Sequence, residues 1–245
     1  MWRLPLPDVG DALGELVAAF TRSDGQVNYS LTAQEKAIIL DVYGKYDEAK
    51  GQSTLGLLLP NLSDALQDAI FEAYAQVQKG KRLQALRDRL KIVADRCPLC
   101  GIVAVTDLDH YLPKSLCKVL SIYSRNLVPV CGVCNNKKRA LEGPDCQLIH
   151  VYFADLPTER FLRATTSLQG SALKVEFTVE RTPAMSEALF DSLTFHLVRL
   201  ELSNRYEPEV NIFISSQEVS FNEAVNREFC AGGFKRVLRR PQIGA

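Results

Sequence analysis

The chain has 245 residues, of which 47% are hydrophobic, and its 29 Lys and Arg residues balance 29 Asp and Glu residues to a formal net charge of zero. This length is enough to bury a sizeable core, either as one large domain or as two small ones. No apolar run approaches the roughly 20 residues that a membrane helix needs, and the N-terminus lacks the apolar core of a signal peptide, so the sequence predicts a cytosolic protein with no membrane partner.

Residues 1–96 are predicted to form a helical N-terminal region. The segment 32–35, Thr-Ala-Gln-Glu, is a capping box ahead of an apolar stripe that stops near Gly44. The segment 51–61 is predicted to be a loop because of its Gly and Pro residues, and Ser63 is the predicted N-cap of the next helix. A further helix, with leucines at steps of three and four, leads into the first cysteine pair.

Residues 97–141 form the predicted middle unit. A strand over 102–110 follows the first cysteine pair, and a short helix begins near Asn135, after the second pair. The sequence predicts that this unit is embedded between the N-terminal helices and a C-terminal region of hairpin and helix.

Residues 142–245 are predicted to form an α+β C-terminal region that packs on the rest. Alternating apolar residues on both sides of Gly170 predict a hairpin, and Pro183 is the predicted first residue of a helix. A last helix is predicted over 217–230. The expected fold class for the whole chain is α+β, as one compact body.

Charge is distributed unevenly along the chain. Residues 1–78 hold eleven acids against five Lys or Arg, whereas the segment 79–91 holds six basic residues and one acid. The stretch 110–140 has six basic residues and no acid, and a further basic cluster lies at 235–240. Lys and Arg bind nucleic acid by neutralising phosphates, so the stretch 110–140 predicts a polyanion partner. The segments 79–91 and 235–240 are explained equally well as solvated helix faces.

Four of the seven cysteines form two CxxC pairs, Cys97 with Cys100 and Cys131 with Cys134. Two such pairs, about 30 residues apart, match a tetrahedral four-thiolate zinc site, which has no open position for a substrate and is therefore structural. This spacing also argues against a secreted disulfide framework. The other cysteines stand alone and are predicted to be small buried hydrophobes: Cys117, Cys146 and Cys230.

The stretch between and beside the cysteine pairs carries a specific motif. It contains Asp109 and His110 followed by Pro113-Lys114, then Asn126-Leu127-Val128-Pro129, and the fourth cysteine is followed by Asn135 and Lys138. This motif resembles the HNH endonuclease family in its zinc-stabilised, four-cysteine form. The resemblance covers the segment 97–139. It implies a ββα-metal fold, in which two strands and a helix hold one divalent cation.

The resemblance also implies a role for each motif residue. His110 stands where the family's histidine takes a proton from the attacking water, and its ordinary pKa near neutrality suits that task. Asp109 and Asn135 stand at the positions of the metal ligands, and their oxygens suit Mg²⁺ or Mn²⁺ better than zinc. Asn126 matches the middle letter of the motif and is expected to orient the histidine loop. The last letter is Asn135 instead of a histidine, which makes the chain an HNN variant.

Further charged residues flank the motif. Lys114, Lys138 and Arg139 are candidates for phosphate contacts, since cationic side chains on this unit would face a polyanion. Asp107 lies two residues before Asp109 and would share its face of a strand. It is either an outer carboxylate of the metal site or a solvated acid.

Two classes of function fit the sequence. The first is a metal-dependent endonuclease that hydrolyses DNA phosphodiester bonds, and the second is a zinc-dependent module that binds nucleic acid or protein without cutting. The nuclease is favoured, because a binding module has no need of Asp109, His110, Asn126 and Asn135 together.

The surroundings of the motif predict a partner. HNH units embedded in extra helical and hairpin segments resemble effector subunits of bacterial anti-phage systems, in which an ATPase subunit controls the nuclease. The acidic segment 1–78 would then be the docking face of that partner or a cover on the basic site. Paired breaks in DNA would need two active sites, and hence a homodimer or a partner.

Overall fold

The computed structural model describes residues 2–138, 148–170 and 172–230. Within these ranges the chain is of the mixed α+β class that the sequence predicts. Its helices are α1 (Ala12–Phe20), α2 (Ala33–Glu48), α3 (Leu55–Leu58), α4 (Asp64–Ala73), α5 (Gln84–Ile92), α6 (Gly132–Lys138), α7 (Glu187–Arg199) and α8 (Leu202–Cys230). Its strands are β1 (Asp107–His110), β2 (Leu127–Val130), β3 (Leu162–Gln169) and β4 (Ala172–Val179). In these parts of the chain, no helix is both long and apolar enough to cross a bilayer.

The predicted N-caps of two helices are confirmed. At the start of α2, the Thr32 hydroxyl accepts a hydrogen bond from the Glu35 N–H at 3.2 Å, and the Glu35 carboxylate accepts one from the Thr32 N–H at 2.8 Å. At the start of α4, the Ser63 hydroxyl accepts a hydrogen bond from the Leu66 N–H at 3.3 Å. Both caps bind backbone donors that the first helical turn leaves without an intrahelical partner.

Three predicted boundaries in the first half of the chain are wrong. α2 does not stop near Gly44 but continues to Glu48, because Tyr43 and Tyr46 on either side of the glycine are buried in the core. The predicted loop 51–61 contains the short helix α3. The strand predicted over 102–110 is confined to β1, the part that pairs with β2.

The C-terminal region contains the predicted hairpin. β3 and β4 pair in antiparallel register, and the chain turns at Gly170, whose φ of 64° suits a residue without Cβ. α7 does not begin at Pro183: the Ser186 hydroxyl accepts a hydrogen bond from the Leu189 N–H and caps the helix there. The last helix starts at Leu202, well before the predicted position, because Leu202 is buried in the core.

One hydrophobic core joins the N-terminal helices to the middle unit. The buried cluster includes residues of α1, α2 and α4 together with β1, β2 and the four paired cysteines. Tyr43 of α2 stacks on Tyr123, with ring centroids 4.0 Å apart. Leu200 and Leu202 bring the C-terminal helices to the same cluster. The helices of the N-terminal region therefore form the support on which the cysteine motif is built.

Candidate metal centre and active site

The two cysteine pairs meet in space. The Sγ atoms of Cys97, Cys100, Cys131 and Cys134 all lie within 4.8 Å of one another, and those of Cys100 and Cys131 are 3.9 Å apart. Four thiolates around a zinc ion at about 2.3 Å would stand about 3.8 Å from one another. All four side chains are buried. These cysteines can therefore hold a metal such as zinc.

The electrostatics of the cluster also favour a cation. Hydrogen bonds from the thiols of Cys134 and Cys97 hold the pKa of Cys100 well below its usual range. The hydrogen bond to Cys100 in turn raises the pKa of the Cys97 thiol to about 12. Neighbouring thiols therefore resist ionising together, and a coordinated cation supplies the positive charge that lets them do so.

Two C-terminal helices contact the cysteine cluster. His196 of α7 is buried, and its Nε2 donates a hydrogen bond to the carbonyl oxygen of Leu99 at 2.8 Å. Arg205 of α8 donates from Nη1 to the Sγ of Cys134 at 3.4 Å. A guanidinium beside thiolates offsets part of their negative charge and fixes their orientation. The C-terminal region thus supports the cluster from outside.

The strand pair and α6 bring four polar side chains of the middle unit together. β1 pairs with β2 in antiparallel register, and α6 follows β2 after one residue. Asn135 of α6 donates from Nδ2 to Oδ2 of Asp107 at 2.9 Å. Lys138 of α6 donates from Nζ to Oδ2 of Asp109 at 2.6 Å and also to the carbonyl oxygen of His110. Two carboxylates of β1 therefore face an amide and an ammonium group of α6.

The oxygens at this point suit a hard divalent cation. Asp107 and Asp109 supply carboxylates, and Asn135 uses its amide nitrogen toward Asp107, so its amide oxygen is not engaged in that contact. Mg²⁺ and Mn²⁺ prefer oxygen ligands of this kind. A cation at Asp109 would share that carboxylate with the ammonium group of Lys138.

His110 lies at the end of β1 with 8% of its surface exposed. Its Nε2 contacts the carbonyl oxygen of Ser121 at 2.8 Å and must be the donor, because a carbonyl only accepts. In the neutral ring this leaves Nδ1 unprotonated. Burial lowers the pKa of His110 to about 4, and the charges of Lys138 and Lys114 contribute to the shift. At neutral pH the ring is therefore in the form that can accept a proton.

Asn126 has no exposed surface and uses both ends of its amide. Its Nδ2 donates to the carbonyl oxygens of Leu112 and Leu120 at 3.1 and 3.2 Å. Its Oδ1 accepts from the Leu112 N–H at 2.8 Å and from the Tyr46 hydroxyl at 3.1 Å. These bonds tie the loop that follows His110 to the residue that precedes β2.

His150 extends this network, although its sequence context predicts no role for it. Its Nδ1 accepts from the Tyr152 N–H at 3.3 Å, so its Nε2 carries the proton and donates to the Tyr46 hydroxyl oxygen at 2.9 Å. The Tyr46 hydroxyl can then donate to Asn126. Burial lowers the pKa of His150 to about 3, which keeps the ring neutral and the direction of these hydrogen bonds constant.

The low pKa of His150 predicts acid sensitivity. Above its ordinary pKa of 6.5, the ring is neutral in both the folded and the unfolded chain, and its stabilising contribution is complete. As the pH falls from 6.5 toward about 3, only the unfolded chain binds the proton. The free energy of unfolding should then fall by up to about 1.4 kcal/mol per pH unit for this residue. Chemical denaturation at several pH values across this range measures the free energy of unfolding as a function of pH. This free energy should fall less steeply with decreasing pH for His150→Gln than for the wild type. An equal pH dependence in the two proteins would contradict a buried neutral ring.

The predicted nucleic-acid contacts lie in different surroundings. Lys114 is half-buried, with its Nζ 4.0 Å from the centre of the Phe71 ring. Lys138 is 8% exposed and directs its charge to Asp109, so the structure places it inside the candidate site and not on the surface. Arg139 lies outside the described residues.

Other cations of the basic stretch pair with acids from distant parts of the chain. These ion pairs are Lys118 with Asp68 at 2.6 Å, Lys137 with Glu201 at 2.7 Å, and Arg125 with Asp47. The first two pairs are partly exposed, and pairs of that kind contribute about 0–1 kcal/mol each to stability, whereas the pair of Arg125 with Asp47 is mostly buried. Their main effect here is on charge: the stretch offers a polyanion fewer unpaired cations than its sequence suggests.

Sequence reasoning missed other residues around His110. The Tyr74 ring meets the His110 ring edge-on with centroids 4.4 Å apart, and the Tyr74 hydroxyl donates to the carbonyl oxygen of Leu108 at 2.7 Å. Arg87 and Lys91 of α5 donate to the carbonyl oxygen that directly precedes β1, at 2.9 and 3.0 Å. The basic segment 79–91 was the sequence signal that could have identified Arg87 and Lys91. No local pattern marks Tyr74, because its contact with His110 depends on the packing of α4.

Comparison with known proteins gives one distant similarity. The chain is similar to Protein ea31 of Escherichia phage lambda, with 24% identity over 203 residues, which cover 78% of this chain and 68% of the phage protein. No family model matches the chain, and no solved structure is significantly similar to it.

Proposed function

We propose that this protein is a metal-dependent endonuclease of the HNH type that hydrolyses DNA phosphodiester bonds. The observation that carries the proposal is the contact of two carboxylates of β1 with an amide and an ammonium group of α6, the helix that carries the fourth cysteine of the cluster. His110, which is buried and neutral, follows Asp109 directly on β1. The cysteines would hold structural zinc. A module that binds nucleic acid or protein without cutting would need only the four-cysteine cluster.

His110 is the proposed general base. Ser121 fixes its Nε2 proton, so the unprotonated Nδ1 is the atom that takes a proton from water. The oxygen of that water attacks the phosphorus, and the bond between phosphorus and the 3′ oxygen breaks. The 3′ oxygen gains a proton from solvent, which leaves a 5′-phosphate and a 3′-hydroxyl. General-base catalysis of this kind contributes about 10²–10⁴-fold to rate.

Asp109 and Asn135, with Asp107 beside them, would hold Mg²⁺ or Mn²⁺. When bound, the cation supplies positive charge to the phosphate and the leaving oxygen as negative charge builds there. Lys138 contacts both Asp109 and the carbonyl oxygen of His110, and so holds α6 against the end of β1. Asn126 keeps the loop after His110 in place.

The burial of His110 supports control of the nuclease activity by a partner protein. Only 8% of the residue is exposed, and the Tyr74 ring lies against it. Acids of the N-terminal region, Asp47 and Asp68, already pair with cations of the middle unit. We therefore propose that the protein is an effector in phage defence, opened by a second subunit such as an ATPase.

The proposal is tested with supercoiled plasmid and either Mg²⁺ or Mn²⁺. The expected products are nicked or linear DNA with 5′-phosphate ends, formed by the protein alone or with proteins that copurify from its host. A binding module would instead retard the plasmid in a gel and leave every phosphodiester bond intact.

A further inference from the structure

A cavity of about 580 Å³ lies in the N-terminal region next to His110. It is lined by residues of α1, α4 and the 3₁₀ turn Tyr74–Val77, together with Lys114. Tyr74 belongs to its wall and also contacts His110 edge-on at 4.4 Å. The cavity is therefore separated from the proposed base by one aromatic ring.

Aromatic and cationic side chains share the wall of this cavity. Phe71 and Tyr74 present rings, and Nζ of Lys114 stands 4.0 and 5.1 Å from the two ring centroids. Arg82 contributes a second cation, held in place by a hydrogen bond to a backbone carbonyl at 2.9 Å. Glu72 is the single acid among the lining residues, so the wall carries net positive charge.

Most of the remaining lining residues are small or carry amides. Ala69, Ala73 and Ala75 leave room for a planar group, while Asn28 and Gln76 offer both hydrogen-bond donors and acceptors. Aromatic side chains beside a planar base, cations beside a phosphate, and amides beside the polar edges of the base are the features of a nucleotide site.

We infer that this cavity binds one unpaired nucleotide of the DNA strand that is cut, an inference that rests on the proposed nuclease function. Its volume lies within the range of small-molecule sites, roughly 300–1,000 Å³. A base can enter such a concave site only after leaving the helical stack. The cavity thus favours single-stranded or locally opened DNA, with the adjoining phosphate at Lys114 and His110.

The test is binding of a fluorescent single strand of about 12 nucleotides, and of the matching duplex, without added Mg²⁺ or Mn²⁺. Ala75 is exposed and lines the cavity, so Ala75→Glu places bulk and negative charge there without disturbing the core. Ala37→Glu is the matched control, an exposed position on α2 outside the cavity lining. Circular dichroism spectra of the three proteins verify that the fold is retained.

The wild type should bind the single strand more tightly than the duplex. Ala75→Glu should weaken single-strand binding at least about fivefold, the loss expected from one stacked base, and Ala37→Glu should change it less than about twofold. Equal single-strand affinity in all three proteins, or tighter binding of the duplex, would overturn the inference. A different result is that Ala75→Glu weakens the binding of mononucleotides but not that of the oligonucleotide. The cavity would then be a site for free nucleotides, and the inference would again be wrong.

The experiments distinguish a wrong assignment of the cavity from a wrong assignment of the nuclease function. If the wild type cuts plasmid but Ala75→Glu binds the single strand normally, the cavity assignment is wrong and the nuclease stands. If single-strand binding depends on position 75 but no condition gives cleavage, the nuclease is wrong and the cavity remains a nucleotide site.

Discussion

Cys97→Ser is expected to release the structural metal and to unfold the middle unit. Zinc binding to four thiolates supplies an apparent folding free energy of about 10 kcal/mol, comparable with the whole stability of a typical domain. Cys97 is fully buried, and its cluster belongs to the main hydrophobic core, so the loss should spread to the N-terminal helices. The measurement is zinc per chain by mass spectrometry, together with the thermal unfolding midpoint.

Cys117→Ser is the matched control for the cysteine cluster. Cys117 is also buried, but its Sγ donates to the carbonyl oxygen of Leu57 at 3.0 Å and takes no part in the cluster. A serine hydroxyl can keep that hydrogen bond. The control should therefore retain zinc, with only a modest change in midpoint. If Cys97→Ser matched the control in both zinc content and midpoint, the four cysteines would not be a structural metal site.

His110→Ala is expected to reduce the cleavage rate by about 10²–10⁴-fold, because it removes the only proposed proton acceptor. Its burial means that the substitution also leaves a small cavity and an unpaired Ser121 carbonyl oxygen, which should cost about 1–3 kcal/mol of stability. Zinc content should not change. The single-turnover rate on plasmid, measured at a temperature where the variant remains folded, gives the effect on chemistry.

His110→Gln separates the chemical effect from the structural one. The Gln amide nitrogen can still donate toward Ser121, but an amide does not take up a proton at neutral pH. This variant should be more stable than His110→Ala and equally slow. Cleavage by His110→Gln at the wild-type rate would remove His110 from the role of base.

Local hydrogen bonds and ligand spacing made part of this structure predictable. Thr32 and Ser63 cap their helices through backbone groups three residues away, which a short sequence pattern identifies. Gly170 turns a hairpin whose strands alternate around it. Each CxxC pair presents two sulfurs to one point, so the proximity of the four cysteines followed from their spacing.

Contacts between distant residues were not predictable in the same way. Gly44 does not end α2, since Tyr46 beyond it is held by the core and by Asn126. The burial of Lys138 depends on how α6 packs against β1, which its position in a basic run does not reveal. Tertiary packing of this kind overrides local propensity and redistributes charge, and single-sequence patterns do not encode it.

In the proposed function, Asp109 and its neighbours hold a catalytic cation that is separate from the metal bound by the cysteines. The most direct measurement is the single-turnover cleavage rate as a function of Mn²⁺ concentration for zinc-replete wild type and Asp109→Ala, alone and with copurifying proteins. We predict that the wild-type rate rises and saturates with Mn²⁺, while Asp109→Ala keeps its zinc and stays inactive. Wild type that leaves plasmid intact at every Mg²⁺ and Mn²⁺ concentration, or an Asp109→Ala protein with the same Mn²⁺ dependence, would contradict the claim.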